Sequence, residues 1–329
     1  TCRHRQTQNY ALQNDSIYKW WYRLEEPNEV FAADYWVHTF DRLLPSAVYG
    51  PSHPEYYAYY NGKRHPGAAS QWCLTNPDVF NIVVHRIDSI FKAHPDMKTI
   101  CVSQNDGNNT NCKCPNCSQI DKEEGAYSGS LIRFINKIAD RFPDKQIATL
   151  AYLYSMQPPK LVKPRKNVVI MLCDIDCKRE VSLTENNSGQ EFVKALKGWS
   201  QISNNLYVWD YGINFDNFVS PFPNLHVLQD NIRLFRDNHV TMHFSQISSN
   251  RGGDFAELRT YLVSKLMWNA DADVDSLTQH FLKGYYGKAA PYIYRYINIM
   301  EGAIVASGTD LWIYDSPITH KDGMLKPAL

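Results

Sequence analysis

The chain alternates between short apolar runs, rich in β-branched and aromatic residues, and longer segments that carry an apolar stripe. The seven runs lie at residues 35–40, 70–74, 99–103, 147–154, 167–172, 205–209 and 240–244. Strands that alternate with helices predict a parallel sheet, because two parallel strands need a crossover connection. An eighth strand near Cys2–Gln6 would close this sheet into a (β/α)8 barrel.

Most segments between the runs have apolar residues at three- and four-residue spacing, the pattern of an amphipathic helix. They lie at 79–92, 130–142, 190–202, 225–235 and 255–268. An open doubly wound sheet is the alternative, but no Gly-rich phosphate-binding loop follows any predicted strand. We therefore predict an α/β fold with a (β/α)8 TIM-like catalytic barrel over residues 1–250. Consecutive helices at 258–307 predict a helical C-terminal extension, 251–329, packed on the barrel.

Charge and hydropathy exclude two classes of partner. Lys and Arg together number 34, as do Asp and Glu, so the chain lacks the cationic surplus that non-specific nucleic-acid binding needs. No apolar run approaches the roughly 18–20 residues of a transmembrane helix. Aromatic residues make up 13% of the chain and include 21 Tyr, whose apolar faces and polar edges favour a carbohydrate or peptide cleft.

Polar and aromatic residues cluster where the predicted strands end. In a barrel this edge carries the active site, because the βα loops meet there. Carboxylates, amides and aromatics on one face suit the binding and cleavage of a glycoside, and no G-x-S-x-G elbow indicates a nucleophilic serine. Trp209 is expected to form an apolar floor under a sugar, and Tyr211 to hydrogen-bond an acetamido oxygen. The predicted substrate-binding residues are His38, Trp72, Gln104, Tyr152, Tyr154, Asp174, Trp209, Asp210, Tyr211 and Gln246.

The fourth predicted strand ends abruptly in Ser103-Gln104-Asn105-Asp106-Gly107. An Asp at this position, in apolar surroundings, is suited to protonate a leaving-group oxygen. The neighbouring Asn is suited to hold a substrate acetamido group whose carbonyl oxygen attacks the anomeric carbon. We predict that Asp106 is the general acid and that Asn105 orients the acetamido group. The alternative is that Asn, Asp and Gly form only a turn here.

Asp174 and Asp176 compete with Asp106 for the catalytic role. They follow the sixth predicted strand, and Lys178 and Arg179 come directly after them. Because these neighbours are basic, salt bridging or the binding of sugar hydroxyls suits the two carboxylates equally well.

Three cysteines, Cys112, Cys114 and Cys117, lie within six residues. Their closeness suits a tetrahedral zinc site, for which a fourth thiolate must come from elsewhere in the chain. We favour Cys73, at the end of the third predicted strand, over Cys101. Two disulfides would use the same thiols in an exported protein, and free thiols are a third alternative. We favour a structural zinc ion and expect no cofactor for catalysis, since four thiolates leave no position for a catalytic water.

Motifs spread over most of the chain carry a family resemblance. They are Ser103-Gln104-Asn105-Asp106, Cys112-Lys113-Cys114-Pro115-Asn116-Cys117, Phe134-Ile135-Asn136-Lys137, Leu150-Ala151-Tyr152, Trp209-Asp210-Tyr211, Ser220-Pro221-Phe222-Pro223, Asp254-Phe255-Ala256-Glu257-Leu258-Arg259 and Tyr285-Tyr286-Gly287. Together they resemble a bacterial domain family long described as of unknown function. That family is similar to glycoside hydrolase family 163, which includes endo-β-N-acetylglucosaminidases acting on complex N-glycans. More distantly, it is similar to hexosaminidases of families 20, 84 and 85 and to α-glucuronidases.

The resemblance implies a (β/α)8 glycosidase whose acid follows the fourth strand, beside an Asp or Asn that polarises the acetamido group. Asp106 and Asn105 occupy those places, and Asp106 stands where most relatives carry Glu. The expected activity is that of a retaining, substrate-assisted endo-β-N-acetylglucosaminidase with a glycan or glycoprotein substrate. One alternative is a glycosidase of another specificity, such as a uronide-directed enzyme, which pairs Asp106 with Asp174, Asp176 or Asp210. A glycan-binding barrel without catalysis is the other.

The expected location is the periplasm, the cell surface or the outside of a bacterium. The chain opens on Thr1 rather than on an initiator methionine, and the absence of a signal peptide at its start therefore does not bear on export. We expect it to be a piece of a longer protein.

Overall fold

The computed structural model describes residues 4–9, 16–108, 110–185, 187–248 and 252–326. Its strands are β1 (His4–Asn9), β2 (Tyr59–Tyr60), β3 (Lys63–Arg64), β4 (Thr99–Cys101), β5 (Gln146–Ala151), β6 (Val168–Cys173), β7 (Leu206–Tyr211) and β8 (Val240–Ser248). Its α-helices are α1 (Ser16–Tyr22), α2 (Pro27–Val30), α3 (Phe40–Leu43), α4 (Ser46–Tyr49), α5 (Pro77–Ala93), α6 (Pro115–Glu124), α7 (Ser128–Arg141), α8 (Gly189–Ile202), α9 (Leu228–Asp237), α10 (Ala256–Trp268), α11 (Val274–Tyr286) and α12 (Ala290–Ser307). None of the helices described here combines the length and the apolar character needed to cross a membrane.

The chain is divided into two compact units. Unit 1 contains the described residues of Thr1–Glu25, Asp174–Lys194 and Val208–Leu329. Unit 2 contains those of Glu26–Cys173 and Ala195–Tyr207. Both units mix strands with helices, as the predicted α/β class requires. The predicted boundary between a barrel at 1–250 and a helical extension at 251–329 stays a prediction.

In unit 2, β4, β5 and β6 are hydrogen-bonded in parallel, with Thr99 opposite Gln146 and Ala151 opposite Leu172. The strands β5 and β6 are almost entirely buried, as strands covered on both faces are. The helix α7 packs on both of these strands, and α5 packs on α7. Asn76 begins α5 by accepting hydrogen bonds from backbone N–H groups of its first turn.

In unit 1, β1 pairs in parallel with β8, with His4 opposite Met242 and Thr7 opposite Ser245. The strand β8 is also the neighbour of β7. The helix α10 packs against β1 and β8, and α11 packs on both α10 and α12. Their shared apolar core confirms the predicted run of helices after the last strand and includes Leu258, Leu262, Leu266, Leu282 and Ile297.

Two of the predicted strands, at 35–40 and 70–74, are wrong. Asp34 and His38 have positive φ angles, a left-handed conformation that interrupts a β ladder. In the second segment, Trp72 forms only an isolated bridge. The described residues therefore supply six of the eight strands expected for a barrel.

Candidate active site

In unit 2, the loop after β4 buries two amides and exposes one carboxyl. Gln104 is fully buried and Asn105 is 5% exposed, whereas Asp106 is exposed to solvent. The Gln104 side-chain Nε2 donates to the carbonyl oxygen of Tyr152 at 3.0 Å and to Oγ of Ser155 at 2.8 Å. Gln104 thus joins the loops that follow β4 and β5, and its predicted contact with substrate stays a prediction.

Asn105 is held by hydrogen bonds on both its backbone and its side chain. The Gln71 side chain accepts from the Asn105 backbone N–H at 3.0 Å and donates to its carbonyl oxygen at 2.8 Å. The Asn105 amide donates to the Ser70 carbonyl at 2.6 Å, and its oxygen accepts from the Asp41 backbone N–H at 3.2 Å. The position of the next residue, Asp106, is therefore set by buried contacts.

Tyr152 contacts both the Asp106 carboxyl and the His38 ring. Its hydroxyl donates to Oδ1 of Asp106 at 3.0 Å, and its ring centroid lies 5.9 Å from that of His38. The His38 Nδ1 lies 2.9 Å from the Gln104 carbonyl oxygen. Because a carbonyl only accepts, His38 Nδ1 carries the hydrogen of this bond. The structure thus brings together three predicted site residues of unit 2.

Two other predicted residues of unit 2 have different surroundings. Trp72 is 1% exposed and stacks on Phe40 with ring centroids 3.7 Å apart. The predicted contact of this buried ring with substrate stays a prediction. Tyr154 lines a cleft of about 620 Å³ together with Asp121 and Tyr127. Burial raises the pKa of Tyr154 above its ordinary value.

Asp121, which is not among the predicted site residues, lies on the buried face of α6. Burial raises the pKa of its carboxyl to about 6, although the backbone N–H of Ser130 donates to Oδ1 at 2.8 Å. A carboxyl that titrates near neutrality is a common feature of acid–base sites, and a buried structural carboxyl shows it as well. The signal available in the sequence was an acidic residue at an apolar position of a helix.

In unit 1, Asp174 and Asp210 belong to a buried network of charges. Asp174 Oδ1 accepts from Arg179 Nη2 at 2.9 Å and from the Tyr211 backbone N–H at 3.1 Å. Burial raises the pKa of Asp174 well above its ordinary value, and the nearby charge of Asp210 acts in the same direction. The charge of Arg179 opposes this rise. The Asp210 carboxyl lies 3.5 Å from His243 Nε2. Although burial acts to raise the pKa of Asp210, its interactions with His243 and Arg179 lower it below the ordinary value. Of the two alternatives for the sixth strand end, a salt bridge is formed between Asp174 and Arg179, and the predicted binding of substrate by Asp174 stays a prediction.

Trp209 and Gln246, both predicted to bind substrate, contact each other in unit 1. The indole Nε1 of Trp209 donates to Oε1 of Gln246 at 3.0 Å. The Trp209 ring stacks on Tyr211 at 5.4 Å and meets Phe244 edge-on at 5.2 Å. Trp209 is 9% exposed and Tyr211 is 5% exposed, so each presents only an edge to solvent.

A series of ring contacts leads from Tyr211 to the surface of unit 1 through three aromatic residues that were not predicted. Phe215 meets Tyr211 edge-on at 6.0 Å and lies 5.6 Å from Tyr314, which in turn meets Trp312 at 5.6 Å. Trp312 and Tyr314 are 37% and 45% exposed. The backbone N–H of Phe215 donates to the Ile313 carbonyl at 2.7 Å, which holds the C-terminal segment in place. The only signal in the sequence was the spacing Trp312-x-Tyr314.

The four predicted thiol ligands meet in unit 2. The Sγ atoms of Cys73, Cys112, Cys114 and Cys117 all lie within 4.8 Å of one another, and all four residues are buried. Hydrogen bonds from neighbouring thiols hold the pKa of Cys73 well below its ordinary value, and contacts within the cluster raise that of Cys117. Cys101, the weaker candidate, is a fully buried residue of β4 and is not part of the group. The seven described cysteines are all free thiols.

Comparison with solved structures finds distant, partial likenesses to other proteins. One is an O-GlcNAc hydrolase mutant from Thermobaculum terrenum, with 12% identity, a TM-score of 0.39, and coverage of 73% of this chain and 49% of that one. Another is a family 36 α-galactosidase from Geobacillus stearothermophilus, with 8% identity, a TM-score of 0.34, and coverage of 68% and 28%. A third is a D-tagatose 3-epimerase-like protein, with 13% identity, a TM-score of 0.36, and coverage of 60% and 73%.

Two of these three neighbours are glycoside hydrolases, and the chain spans less than two thirds of the length of each. A search of curated proteins finds no sequence match. The sequence model of DUF4838, a family described as a domain of unknown function, matches residues 1–298. The protein is therefore a member of the DUF4838 family.

Proposed function

We propose that this protein is a glycoside hydrolase and that Asp106 is its general acid. The observation that carries the proposal is an exposed carboxyl at the end of β4 whose Oδ1 accepts a hydrogen bond from Tyr152 at 3.0 Å. Cleavage of a glycosidic bond needs a proton donor that can reach the leaving oxygen. One oxygen of Asp106 is fixed by Tyr152, and the other is available to a substrate.

The proposed reaction is substrate-assisted and retains the anomeric configuration. The acetamido carbonyl oxygen of the substrate attacks the anomeric carbon while the bond to the leaving oxygen breaks, and Asp106 gives that oxygen its proton. The Asp106 carboxylate then takes a proton from water, which attacks the anomeric carbon and reopens the bicyclic intermediate.

Asn105 is proposed to orient the acetamido group. Its amide oxygen and one amide hydrogen are bound to the backbone at Asp41 and Ser70, and these bonds leave the second hydrogen of the amide. Because the side chain is fixed by those two bonds, the remaining N–H would meet the acetamido group without a cost for ordering Asn105. This supports the substrate-assisted mechanism over one that uses a second carboxylate.

The proposed substrate is the chitobiose core of a complex N-glycan, cleaved in the endo mode outside the cytoplasm of a bacterium. The support is the sequence resemblance together with exposed aromatic side chains in unit 1, Trp312 and Tyr314. Such rings provide flat apolar faces for the C–H surfaces of sugars. The fold proposed for this enzyme is a (β/α)8 barrel in which short helices and turns replace two strands.

A glycosidase with two carboxylates is the second candidate. In unit 1, Asp176 is exposed, whereas Asp174 is 2% exposed and bonded to Arg179. The burial and salt bridge of Asp174 favour a structural role for that carboxylate. A glycan-binding protein without catalysis is the third candidate, since exposed aromatics serve binding alone equally well.

The experiment that tests the proposal follows product stereochemistry by proton NMR and inhibition by a thiazoline mimic of the bicyclic intermediate. We expect the product first to appear with the configuration of the substrate, and the thiazoline to bind far more tightly than substrate. Asn105→Ala should lower the rate and weaken the inhibitor together. Asn136→Ala is the matched control, because buried Asn136 also donates to one backbone carbonyl and accepts from one backbone N–H. An inverted product, or an inert thiazoline, would contradict the substrate-assisted mechanism.

A further inference from the structure

The thiol cluster, formed by Cys73, Cys112, Cys114 and Cys117, has no part in the proposed chemistry. We propose that it holds one zinc ion and that this ion fixes the loop which carries Asn105 and Asp106. Zinc bound by four thiolates at about 2.3 Å sets the sulfur atoms about 3.8 Å apart, the edge of a tetrahedron. The Sγ atoms of Cys73 and Cys114 are 3.7 Å apart, and all four lie within 4.8 Å of one another.

The surroundings of the cluster suit a negatively charged metal centre. Zinc with four thiolates carries two negative charges, and such centres are stabilised by donors aimed at the sulfur atoms. The backbone N–H of Tyr59 donates to Cys112 Sγ at 3.4 Å, and Arg64 Nη1 lies 3.7 Å from the same atom. The hydroxyl of Thr75 lies 3.4 Å from Cys117 Sγ. A cation and two donors thus surround a buried group of thiols.

Local backbone geometry arranges three of these thiols. Cys114 is the N-cap residue of α6, whose first position is Pro115, and Cys117 lies in the first turn of that helix. The backbone N–H of Lys113 donates to the Tyr59 carbonyl at 2.6 Å, which fixes the loop against the hairpin of β2 and β3. Only Cys73 comes from a distant part of the chain, so the metal would join that segment to the loop before α6.

The two segments that the zinc would join are the ones that hold Asn105. Gln71 precedes Cys73 by two residues, and it binds both the N–H and the carbonyl of Asn105. Thr110 precedes Cys112 by two residues, and its hydroxyl accepts from Gln71 at 3.2 Å. A metal that ties Cys73 to Cys112 therefore also holds Gln71 against the loop that carries the proposed acid.

The first test is the metal content of the full chain purified without added metal. Elemental analysis should find about one zinc per chain, and an organomercurial should release it as it reacts with the four thiols. Replacement by Co(II) should give the intense visible bands of a tetrahedral thiolate site. Cys73→Ala should lose the metal, whereas Cys101→Ala, which removes a buried thiol outside the cluster, should keep it. Iron in place of zinc, absence of metal, or disulfides at Cys112, Cys114 or Cys117 in a non-reducing peptide map would overturn the site.

The second test measures hydrogen exchange in zinc-loaded and chelator-treated protein. Removal of zinc should speed amide exchange in residues 103–112 by at least about tenfold and leave α11 and α12 unchanged. Unchanged protection at 103–112, or unfolding of the whole chain, would overturn the local role. The importance of this loop rests on the proposed function, but neither readout depends on hydrolysis. A protein that binds one zinc ion and whose loop exchanges faster after zinc removal, but that hydrolyses no glycan, would therefore contradict only the proposed function.

Discussion

The hydroxyl of Tyr152 donates a hydrogen bond to Oδ1 of Asp106 at 3.0 Å. The carbonyl oxygen of Tyr152 in turn accepts from the buried side chain of Gln104, two residues before that carboxyl. The loops after β4 and β5 are thus joined at two points, one buried and one facing solvent. An exposed carboxyl is held in one orientation by this arrangement, which is the property that a proton donor for a bound substrate needs.

Removal of the proposed acid should abolish most of the activity. Asp106→Ala is expected to slow hydrolysis of an unactivated glycoside by about 10²–10⁴-fold, the usual contribution of general acid catalysis. The loss should be much smaller for a substrate with a good leaving group, because that group departs without a proton. Initial rates on both substrates measure the difference. Asp96→Asn, which neutralises an exposed carboxylate before β4, is the control and should leave both rates unchanged.

Tyr152→Phe tests the positioning of the acid. The ring is 6% exposed and stays in place, so the substitution removes only the hydroxyl that contacts Asp106. We expect kcat to fall by about tenfold with KM unchanged, since a hydrogen bond that contributes about 1.4 kcal/mol to the positioning of the acid is lost. Steady-state kinetics on the two proteins provide the comparison. Tyr57→Phe removes a buried hydroxyl that bonds the Leu44 carbonyl, and a similar fall in that variant would refute the specific role of Tyr152.

Asp121 should make stability depend on pH. Its folded-state pKa of about 6 lies above the ordinary value of 3.8, so the folded state binds the proton more tightly than the unfolded state. Its contribution is fully present below pH 3.8 and is lost as the pH rises through about 6. The loss amounts to roughly 3 kcal/mol, at about 1.4 kcal/mol for each pKa unit.

Asp121→Asn removes the titration but keeps an oxygen that can accept from the Ser130 N–H. The variant should gain stability at pH 7 relative to the natural protein and show no advantage at pH 4. Urea denaturation at both values measures the difference. A variant that is less stable at pH 7 by the same amount as at pH 4 would show that the carboxyl does not titrate as stated.

The exposed aromatic pair of unit 1 should contribute to substrate affinity. Trp312→Ala is expected to raise the Kd for a glycan about fivefold in a binding titration, because stacking on a flat ring contributes about 1 kcal/mol. Its folding should be little affected, since the indole is 37% exposed. Tyr292→Ala is the matched control, because Tyr292 is 77% exposed on α12 and belongs to no proposed site. An equal change in Kd for both variants would argue against a binding surface at Trp312.

Strands and helices with a clear hydrophobic period could be predicted from the sequence. The runs that became β5 and β6 are apolar at nearly every position because both of their faces are covered. The run at 35–40 also contains aromatic and apolar residues, but Phe40 is buried by stacking on Trp72, and the backbone turns at Asp34 and His38. Hydropathy registers burial, and it does not distinguish a buried strand from an irregular segment with buried side chains.

The candidate site was only partly predictable for a related reason. Side chains adjacent in sequence point in opposite directions here, so that Gln104 and Asn105 are buried whereas Asp106 faces solvent. That outcome depends on partners distant in sequence, such as Gln71 and Ser155, which no local pattern indicates. The clustering of Cys73 with the other three thiols was predicted, although the strand at 70–74 on which that prediction rested does not form.

The central claim is that this protein cleaves complex N-glycans through Asp106. Mass spectrometry of a glycoprotein glycan library, incubated with the natural protein and with Asp106→Asn, tests it most directly. We predict that the natural protein releases glycans that end in one reducing N-acetylglucosamine and leaves a second N-acetylglucosamine on the peptide. The variant should release almost no glycan. Glycans bound but not cleaved by the natural protein, or equal release by both proteins, would contradict it.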